Sequence, residues 1–94
     1  MENNISKERL EKYFKITSEA LEKARSAEKD QHILRHAEDF LDMVQRYFED
    51  AKHFEKKGDI VTAFAALNYA HGWLDAGARI GLFKVKDSRL FTVD

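Results

Sequence analysis

Residues 58–81 read GDIVTAFAALNYAHGWLDAGARIG, and this segment determines the architecture we expect for the chain. It begins with Gly58, which can adopt the left-handed conformation just past a helix end, and Asp59, which can cap the next helix. In residues 60–80 the only formal charges are Asp75 and Arg79, whereas residues 1–57 carry 25. A helix that is apolar nearly all round belongs in the middle of a structure. Two amphipathic neighbours cannot cover it, so we expect the C-terminal tail, a second copy or another partner to contribute.

Two amphipathic helices are predicted before this segment. In the first, which Ser6 can cap, apolar residues recur at spacings of three and four up to about residue 27. In the second, which Asp30 can cap, the same alternation continues to two lysines that suit a helix C-terminus. The pattern therefore predicts helices over residues 6–27, 31–57 and 60–80. The predicted core comprises Leu10, Phe14, Leu21, Ile33, Phe40, Val44, Tyr47, Phe54, Phe64, Leu67, Trp73 and Leu74.

The tail, residues 82–94, has alternating apolar residues on both sides of Asp87-Ser88-Arg89. This pattern predicts an extended segment or a small hairpin, which should fold down over the helices because a lone hairpin is marginal in water. We therefore predict an all-α protein with a single domain, residues 1–94. Its architecture would be an antiparallel three-helix bundle with the third helix in the centre and a short C-terminal tail.

The composition agrees with a small helical domain. The 94 residues are 44% hydrophobic and 35% charged, and the absence of proline argues against an all-β fold with its many turns. The absence of cysteine excludes disulfides, thiolate zinc sites and cysteine nucleophiles. A net charge of −1 supplies no overall field for nucleic acid or an anionic membrane. No apolar run spans a membrane and no signal peptide opens the chain, so we expect a cytoplasmic protein.

His71, Asp75 and Arg79 follow one another at intervals of four, which places them along one face of the third helix. Asp75 could accept hydrogen bonds from both neighbours. One hypothesis is a strip that binds an anion or another ligand. The alternative is a structural network that fixes how the helix packs. Because no nucleophile or second base lies nearby in sequence, we predict no catalytic residue and no cofactor.

Aromatic and glycine residues on the same helix allow two interpretations. Trp73 and Tyr69, one turn apart, could stack on a ligand ring, or Trp73 could fill the core or an interface. Gly72 and Gly77 each cost a helix about 1 kcal/mol relative to alanine. Both glycines therefore predict a close approach of another helix or of the tail.

Two further patterns concern nucleic acid and metal. Arg46 and His53 have the Arg-x6-His spacing, which is similar to the motif of the HEPN ribonucleases, helical bundles in which two subunits contribute to attack on RNA. Asp42 and Glu49 on the same face would repel phosphate and pair with Arg46. His32 and His36 have the spacing of metal ligands on a helix, but no fourth ligand lies in reach, so we predict no metal site.

The string YAHGWLDAG, residues 69–77, resembles the most specific motif of archaeal domain-of-unknown-function family 357. The similarity extends over residues 50–83, where the Gly58-Asp59 turn also fits. The resemblance implies a small helical bundle from an archaeon. It implies no reaction, substrate or catalytic residue.

Our main functional hypothesis is a non-enzymatic protein-interaction module that self-associates as a homodimer, or binds another protein, through the apolar third helix. The alternative hypothesis is an RNA- or ligand-binding protein. It would use His71, Asp75, Arg79 and Trp73 as a ligand site, or Arg46 and His53 on nucleic acid.

Overall fold

The structure is a computed structural model that describes residues 5–92. It contains three α-helices: α1, Lys7–Ser26; α2, Leu34–Lys56; and α3, Ile60–Arg79. A 3-10 turn, Gln31–Ile33, precedes α2. No β-strand occurs within the described range, so the predicted all-α class is confirmed. No helix in that range has the length and apolar character needed to cross a membrane.

The helix ends follow the capping residues in the sequence. The Ser6 hydroxyl accepts a hydrogen bond from the Arg9 N–H at 3.1 Å, and the Asp59 carboxylate accepts one from the Thr62 N–H at 3.1 Å. Gly58 and Gly81 both have a φ of 81°, which a residue with a Cβ rarely adopts. The predicted caps Ser6 and Asp59 and the tight turn at Gly58-Asp59 are confirmed.

The start of α2 differs from the prediction. Asp30 accepts a hydrogen bond from the His32 N–H at 2.9 Å, and the Ile33 N–H donates to the Asp30 carbonyl at 3.1 Å. These bonds close a 3-10 turn instead of the first turn of an α-helix. The α-helix therefore begins at Leu34 and not at residue 31.

The helix α3 packs extensively against both α1 and α2, whereas α1 and α2 contact each other little. Small residues line these helix interfaces. Their short side chains allow the backbones of neighbouring helices to approach closely. The fully buried alanines are Ala20, Ala24, Ala37, Ala51, Ala63 and Ala70. The large buried side chains of the helices include Leu10, Leu21, Leu41, Val44, Leu67 and Leu74.

The predicted core was correct for its aliphatic residues except Ile33, and it overestimated the burial of the aromatic residues. Leu10, Leu21, Val44, Leu67 and Leu74 are buried, as predicted. The other predicted core residues are half-buried and pack at the edges of the helix interfaces: Phe14, Ile33, Phe40, Tyr47, Phe54, Phe64 and Trp73. Phe48 on α2 is buried beside Ala51 and Ala63, whereas the rings predicted for the core lie at the margins of the interfaces.

Residues 82–92, which we call the C-terminal strap, fold over the helices as predicted but form no hairpin. The strap is an irregular segment whose apolar side chains complete the core: Leu82, Phe83, Leu90 and Phe91 are at most 4% exposed. The Lys84 N–H in the strap donates to the carbonyl of Glu28, in the connection that follows α1, at 3.0 Å. The tail is thus one of the elements that cover α3.

One face of α3 remains exposed after the strap has docked. This outer face of α3 consists of Val61, Ala65, Asn68, Tyr69, Gly72, Ala76 and Ile80. None of these residues carries a charge, and Val61, Tyr69 and Ile80 are 53%, 55% and 64% exposed. The one charged residue on the same side of α3 is the exposed Arg79, five helical turns after Val61. The strap therefore covers only part of the apolar surface that the sequence indicated.

Candidate functional site

His71 connects three parts of the molecule. Its Nε2 lies 2.6 Å from the Leu90 carbonyl oxygen in the strap, and its Nδ1 lies 3.0 Å from the Thr17 hydroxyl on α1. Because a carbonyl oxygen only accepts, Nε2 donates to it, and Nδ1 shares a second hydrogen bond with the Thr17 hydroxyl. Both ring nitrogens are therefore engaged in linking α1, α3 and the strap.

Asp75, one turn further along α3, holds the end of the strap. Its Oδ1 accepts from the Thr92 N–H at 2.9 Å, and its Oδ2 accepts from the Thr92 hydroxyl at 3.2 Å. The nearest approach to His71 is 3.8 Å, between Nε2 and Oδ1. The two residues that the sequence placed on one face are thus brought together, and both contact the strap.

Charged side chains fasten the same strap to α1. Arg89 donates to Glu19, and the Lys23 ammonium lies 2.9 Å from the Asp87 carboxylate. The hydrogen bond from Lys23 holds the pKa of Asp87 below its ordinary value, with further help from the Arg89 N–H. The hydrogen bond to Glu19 raises the pKa of Arg89, so this guanidinium stays charged throughout the accessible pH range.

A cleft of about 440 Å³ opens beside these contacts, between α1, α3 and the strap. Tyr13, Asn68 and Gly72 line one part of it, and Arg89 with the end of the strap lines another. His71 and Asp75 also contribute to its wall. The cleft therefore combines an aromatic ring, an amide and a guanidinium around the polar strip.

The remaining residues of the predicted ligand site lie elsewhere. Arg79 is exposed at the last turn of α3. Trp73 is half-buried on the side that faces α2, where its ring meets the edge of Phe40 with centroids 4.9 Å apart. The structure places His71 and Asp75 together and puts Trp73 on a different side of α3.

Trp73 lines a second, shallow depression of about 360 Å³. Its other walls are Phe40 on α2 and the outer face of α3 around Gly72 and Ala76. The Tyr47 ring packs against Tyr69 nearby, with centroids 4.5 Å apart. Asn68 and Gly72 line both this depression and the cleft. The two sites are therefore adjacent, with Gly72 between them.

Arg46 and His53, the alternative nucleic-acid residues, are both exposed on α2. Arg46 forms a salt bridge with Asp42 at 3.0 Å, the pairing that the sequence indicated. Glu49 instead contacts Lys52 and Gln45. The His53 ring lies against Phe54, with centroids 5.5 Å apart.

His32 lies in the 3-10 turn and His36 in the first turn of α2, and both are exposed. Within residues 5–92 no three or more histidine, aspartate or glutamate side chains come close enough to hold a metal ion.

Sequence reasoning missed the partners that the strap supplies. Thr17, the Leu90 carbonyl, Thr92 and the Arg89–Glu19 pair were not among the predicted site residues. The one available signal was Thr17, which occupied an apolar stripe of α1 and is 1% exposed. A buried threonine on such a stripe requires a hydrogen-bond partner, which His71 provides.

The fold and the site define a small all-helical domain in which two polar residues of α3, His71 and Asp75, contact the C-terminal strap of the same chain. The chain belongs to the family described as "Protein of unknown function (DUF357)", whose model matches residues 12–83. The match confirms the resemblance drawn from residues 50–83 and extends it to most of α1. Neither a curated protein nor a solved structure was found to match the chain.

Proposed function

We propose that this protein is a non-enzymatic interaction module that self-associates through the outer face of α3. The observation that carries this proposal is the combination of three large apolar residues, each more than half exposed, with a single charged residue, Arg79, at the C-terminal end of the face. Burying apolar surface is the main driving force of protein association. A face with one charge at its end avoids most of the desolvation of charges that opposes binding.

The partner we propose is a second copy of the chain. The exposed surfaces of α1 and α2 are rich in charge, as the sequence of both helices requires. The outer face of α3 on one copy is therefore matched best by the same face on a second copy. An interface between identical surfaces has two-fold symmetry, which is the commonest arrangement among soluble oligomers.

The engagement of the polar strip supports a non-enzymatic role. Both nitrogens of His71 and both carboxylate oxygens of Asp75 contact other parts of the same chain. A general base has to reach a substrate proton with a free lone pair. The structural interpretation of this strip, as a network that fixes packing, is the one we adopt.

We also infer an antiparallel order of the helices from contacts at several points. Tyr13 meets Phe64, and Thr17 meets His71, so α1 and α3 ascend together. Against α3, the α2 residues descend: Tyr47 meets Tyr69, and Phe40 meets Trp73. An archaeal source, from the family resemblance, and a cytoplasmic location, from the balanced charge, complete the proposal.

Sedimentation equilibrium of the purified chain at tens of micromolar tests the proposal. We expect a dimer for the natural sequence and a monomer for Tyr69→Glu, which places a charge in the centre of the outer face of α3. The matched control is Ser18→Glu, an equally new charge at an exposed position of α1 that should leave the dimer intact. A strict monomer for the natural sequence would overturn the proposal.

The cleft between α1, α3 and the strap carries a second candidate function, the binding of a nucleotide or a segment of RNA. Arg89, Asn68 and Tyr13 offer it a cation, an amide and a ring. A binding screen should then show a shift that Arg89→Ala abolishes while the fold stays intact. A shift abolished by Arg46→Ala would instead favour the Arg46/His53 site. The absence of any shift would remove this candidate.

A further inference from the structure

The cleft between α1, α3 and the strap has features that define the chemistry of a ligand. We infer that it binds an uncharged base ring with two adjacent hydrogen-bond acceptors on one edge, as in guanine or hypoxanthine, and not a phosphate group. This inference rests on the second candidate function proposed above and names its ligand class. It follows from the donors that Arg89 leaves free, from the carboxylates around Arg89, and from the open backbone at Gly72.

Arg89 retains one complete pair of parallel N–H donors. A guanidinium has five N–H groups, and Nη2 takes part in both of the pairs that can hold two neighbouring acceptors. The hydrogen bond to Glu19 uses Nη2, and neither Nε nor Nη1 donates to a residue in the described part of the chain. The Asp87 carboxylate lies 3.6 Å from Nη2, beyond hydrogen-bond distance. Whichever Nη2 hydrogen Glu19 accepts, the other one therefore still forms a pair with Nε or with Nη1.

This pair of donors is accessible from the cleft, because Arg89 is exposed and lines it. The charges around it favour an uncharged ligand over an anion. Glu19 and Asp87 both form ion pairs with the guanidinium and offset its charge. Asp75 adds a further carboxylate to the wall of the cleft. A phosphate group would be repelled by these carboxylates, whereas a neutral ring can accept both N–H bonds without that cost.

Guanine and hypoxanthine present the acceptor pattern that the free donors of Arg89 match. Their O6 and N7 atoms lie side by side, and in guanine they commonly accept two bonds from one arginine. Adenine carries an amino group in place of O6, so it would direct a hydrogen toward the guanidinium. The arrangement therefore predicts that the cleft distinguishes guanine and hypoxanthine from adenine.

The other walls of the cleft suit a flat ring. The Tyr13 ring meets the Phe64 ring at right angles, with centroids 5.0 Å apart, and this contact holds it in place. Gly72 exposes helix backbone to the cleft, since a Cβ there would meet nothing within 4 Å among residues 5–92. Access for a planar ligand would explain a glycine that costs the helix about 1 kcal/mol relative to alanine. The volume of about 440 Å³ is typical of a small-molecule site.

A titration of the natural chain with nucleosides, followed by amide NMR spectra, tests the ligand class. Guanosine and inosine should shift the amides of Gly72 and Arg89, with similar affinities. Adenosine should bind at least tenfold more weakly, because it lacks the O6 acceptor. Guanosine monophosphate should bind no more tightly than guanosine, because the carboxylates around Arg89 oppose its phosphate.

The variant Arg89→Lys tests the paired donors separately from the charge. Lysine keeps a cation beside Glu19 but has no planar pair of N–H groups, so guanosine binding should fall at least tenfold while the spectrum retains its folded pattern. The matched control is Arg35→Lys, the same change at an exposed position of α2. It should leave guanosine binding unchanged.

The base can come from a free nucleoside or from RNA, and the single-stranded pentamers UUGUU and UUAUU distinguish these sources. We expect UUGUU to bind no more tightly than guanosine. Tighter binding of UUGUU that UUAUU does not show would assign the base to an RNA segment.

Two outcomes would overturn the inference and leave the second candidate function standing. They are equal binding of guanosine and adenosine at the cleft, and guanosine binding that Arg89→Lys leaves unchanged. If no nucleoside, nucleotide or pentamer shifts an amide of the cleft, the inference and the second candidate function are both overturned.

Discussion

The ring of Phe83 lies directly over Gly77, in the space where any other residue would carry a side chain. A Cβ added at Gly77 would lie 2.8 Å from Cε1 and 3.2 Å from Cε2 of that ring, closer than carbon atoms can pack. Phe83 is fully buried in this position. The first residues of the strap are therefore held by a notch in the last turns of α3.

The notch predicts opposite effects for alanine at the two glycines of α3. We expect Gly77→Ala to lower the free energy of unfolding by about 1–3 kcal/mol, because the methyl group forces Phe83 out of its place. Gly72→Ala should instead raise it by up to about 1 kcal/mol, since the site is open and alanine favours the helix. Urea unfolding at low protein concentration measures both. Equal effects at the two positions would contradict the notch.

Truncation of Phe83 should show that the strap belongs to the core. We expect Phe83→Ala to cost about 3–5 kcal/mol, the usual loss for a fully buried phenylalanine. Phe64→Ala is the matched control, because Phe64 is only half-buried beside Tyr13. It should cost clearly less in the same urea titration. A smaller loss at Phe83 than at Phe64 would show that the strap is dispensable.

Removal of the His71 ring should release the end of the strap. We expect His71→Ala to cost about 1–3 kcal/mol, because the Leu90 carbonyl and the Thr17 hydroxyl both lose a partner in a largely buried place. Hydrogen exchange should accelerate at the amides of residues 90–92. The control is His53→Ala, an exposed histidine whose removal should change stability by less than about 0.5 kcal/mol. Unchanged exchange in the strap would rule out the anchoring role.

The pair formed by Lys23 and Asp87 predicts a loss of stability in acid. The pKa of Asp87 is lower in the folded protein than in the unfolded chain, where it is about 4. Its contribution is therefore present above about pH 4 and is lost as the pH falls through the folded-state pKa. Asp87→Asn should have a lower Tm than the natural sequence at pH 6.

The pH dependence of that difference provides the check. The gap in Tm between the natural protein and Asp87→Asn should narrow as the pH falls below about 4, because the unfolded chain then protonates Asp87, and it should close once the pH is below the folded-state pKa as well. Asp59, whose pKa is lowered by its bonds to Thr62, titrates in the same range in both proteins and cancels in the comparison. A gap independent of pH would show that the charge of Asp87 contributes nothing.

The parts of the fold that depend on local chemistry could be predicted from the sequence. Ser6 and Asp59 cap helices because their side chains reach amides three residues away, and Gly58 ends a helix because it lacks a Cβ. Hydrophobic periodicity located all three helices to within a few residues. The start of α2 was missed because the bond from Asp30 to His32 favours a tighter turn than the periodicity suggests.

The parts that depend on distant contacts could not be predicted. His71 and Asp75 were identified as a pair, but their partners in the strap lie 19 and 17 residues away and include backbone groups, which the sequence pattern does not reveal. The burial of Ala37 and Ala70 likewise depends on how closely α2 and α3 approach. The burial of the aromatic residues was overestimated for the same reason.

The attachment of α1 has a consequence for how the chain folds as it leaves the ribosome. Since α1 contacts α2 little, it is held by α3 and by the strap, which are translated after it. The hairpin of α2 and α3 closes between neighbouring segments and can form early, because short-range contacts lose little chain entropy. Of the three helices, α1 is therefore synthesised first and packs last, and its apolar face stays uncovered until the strap has emerged.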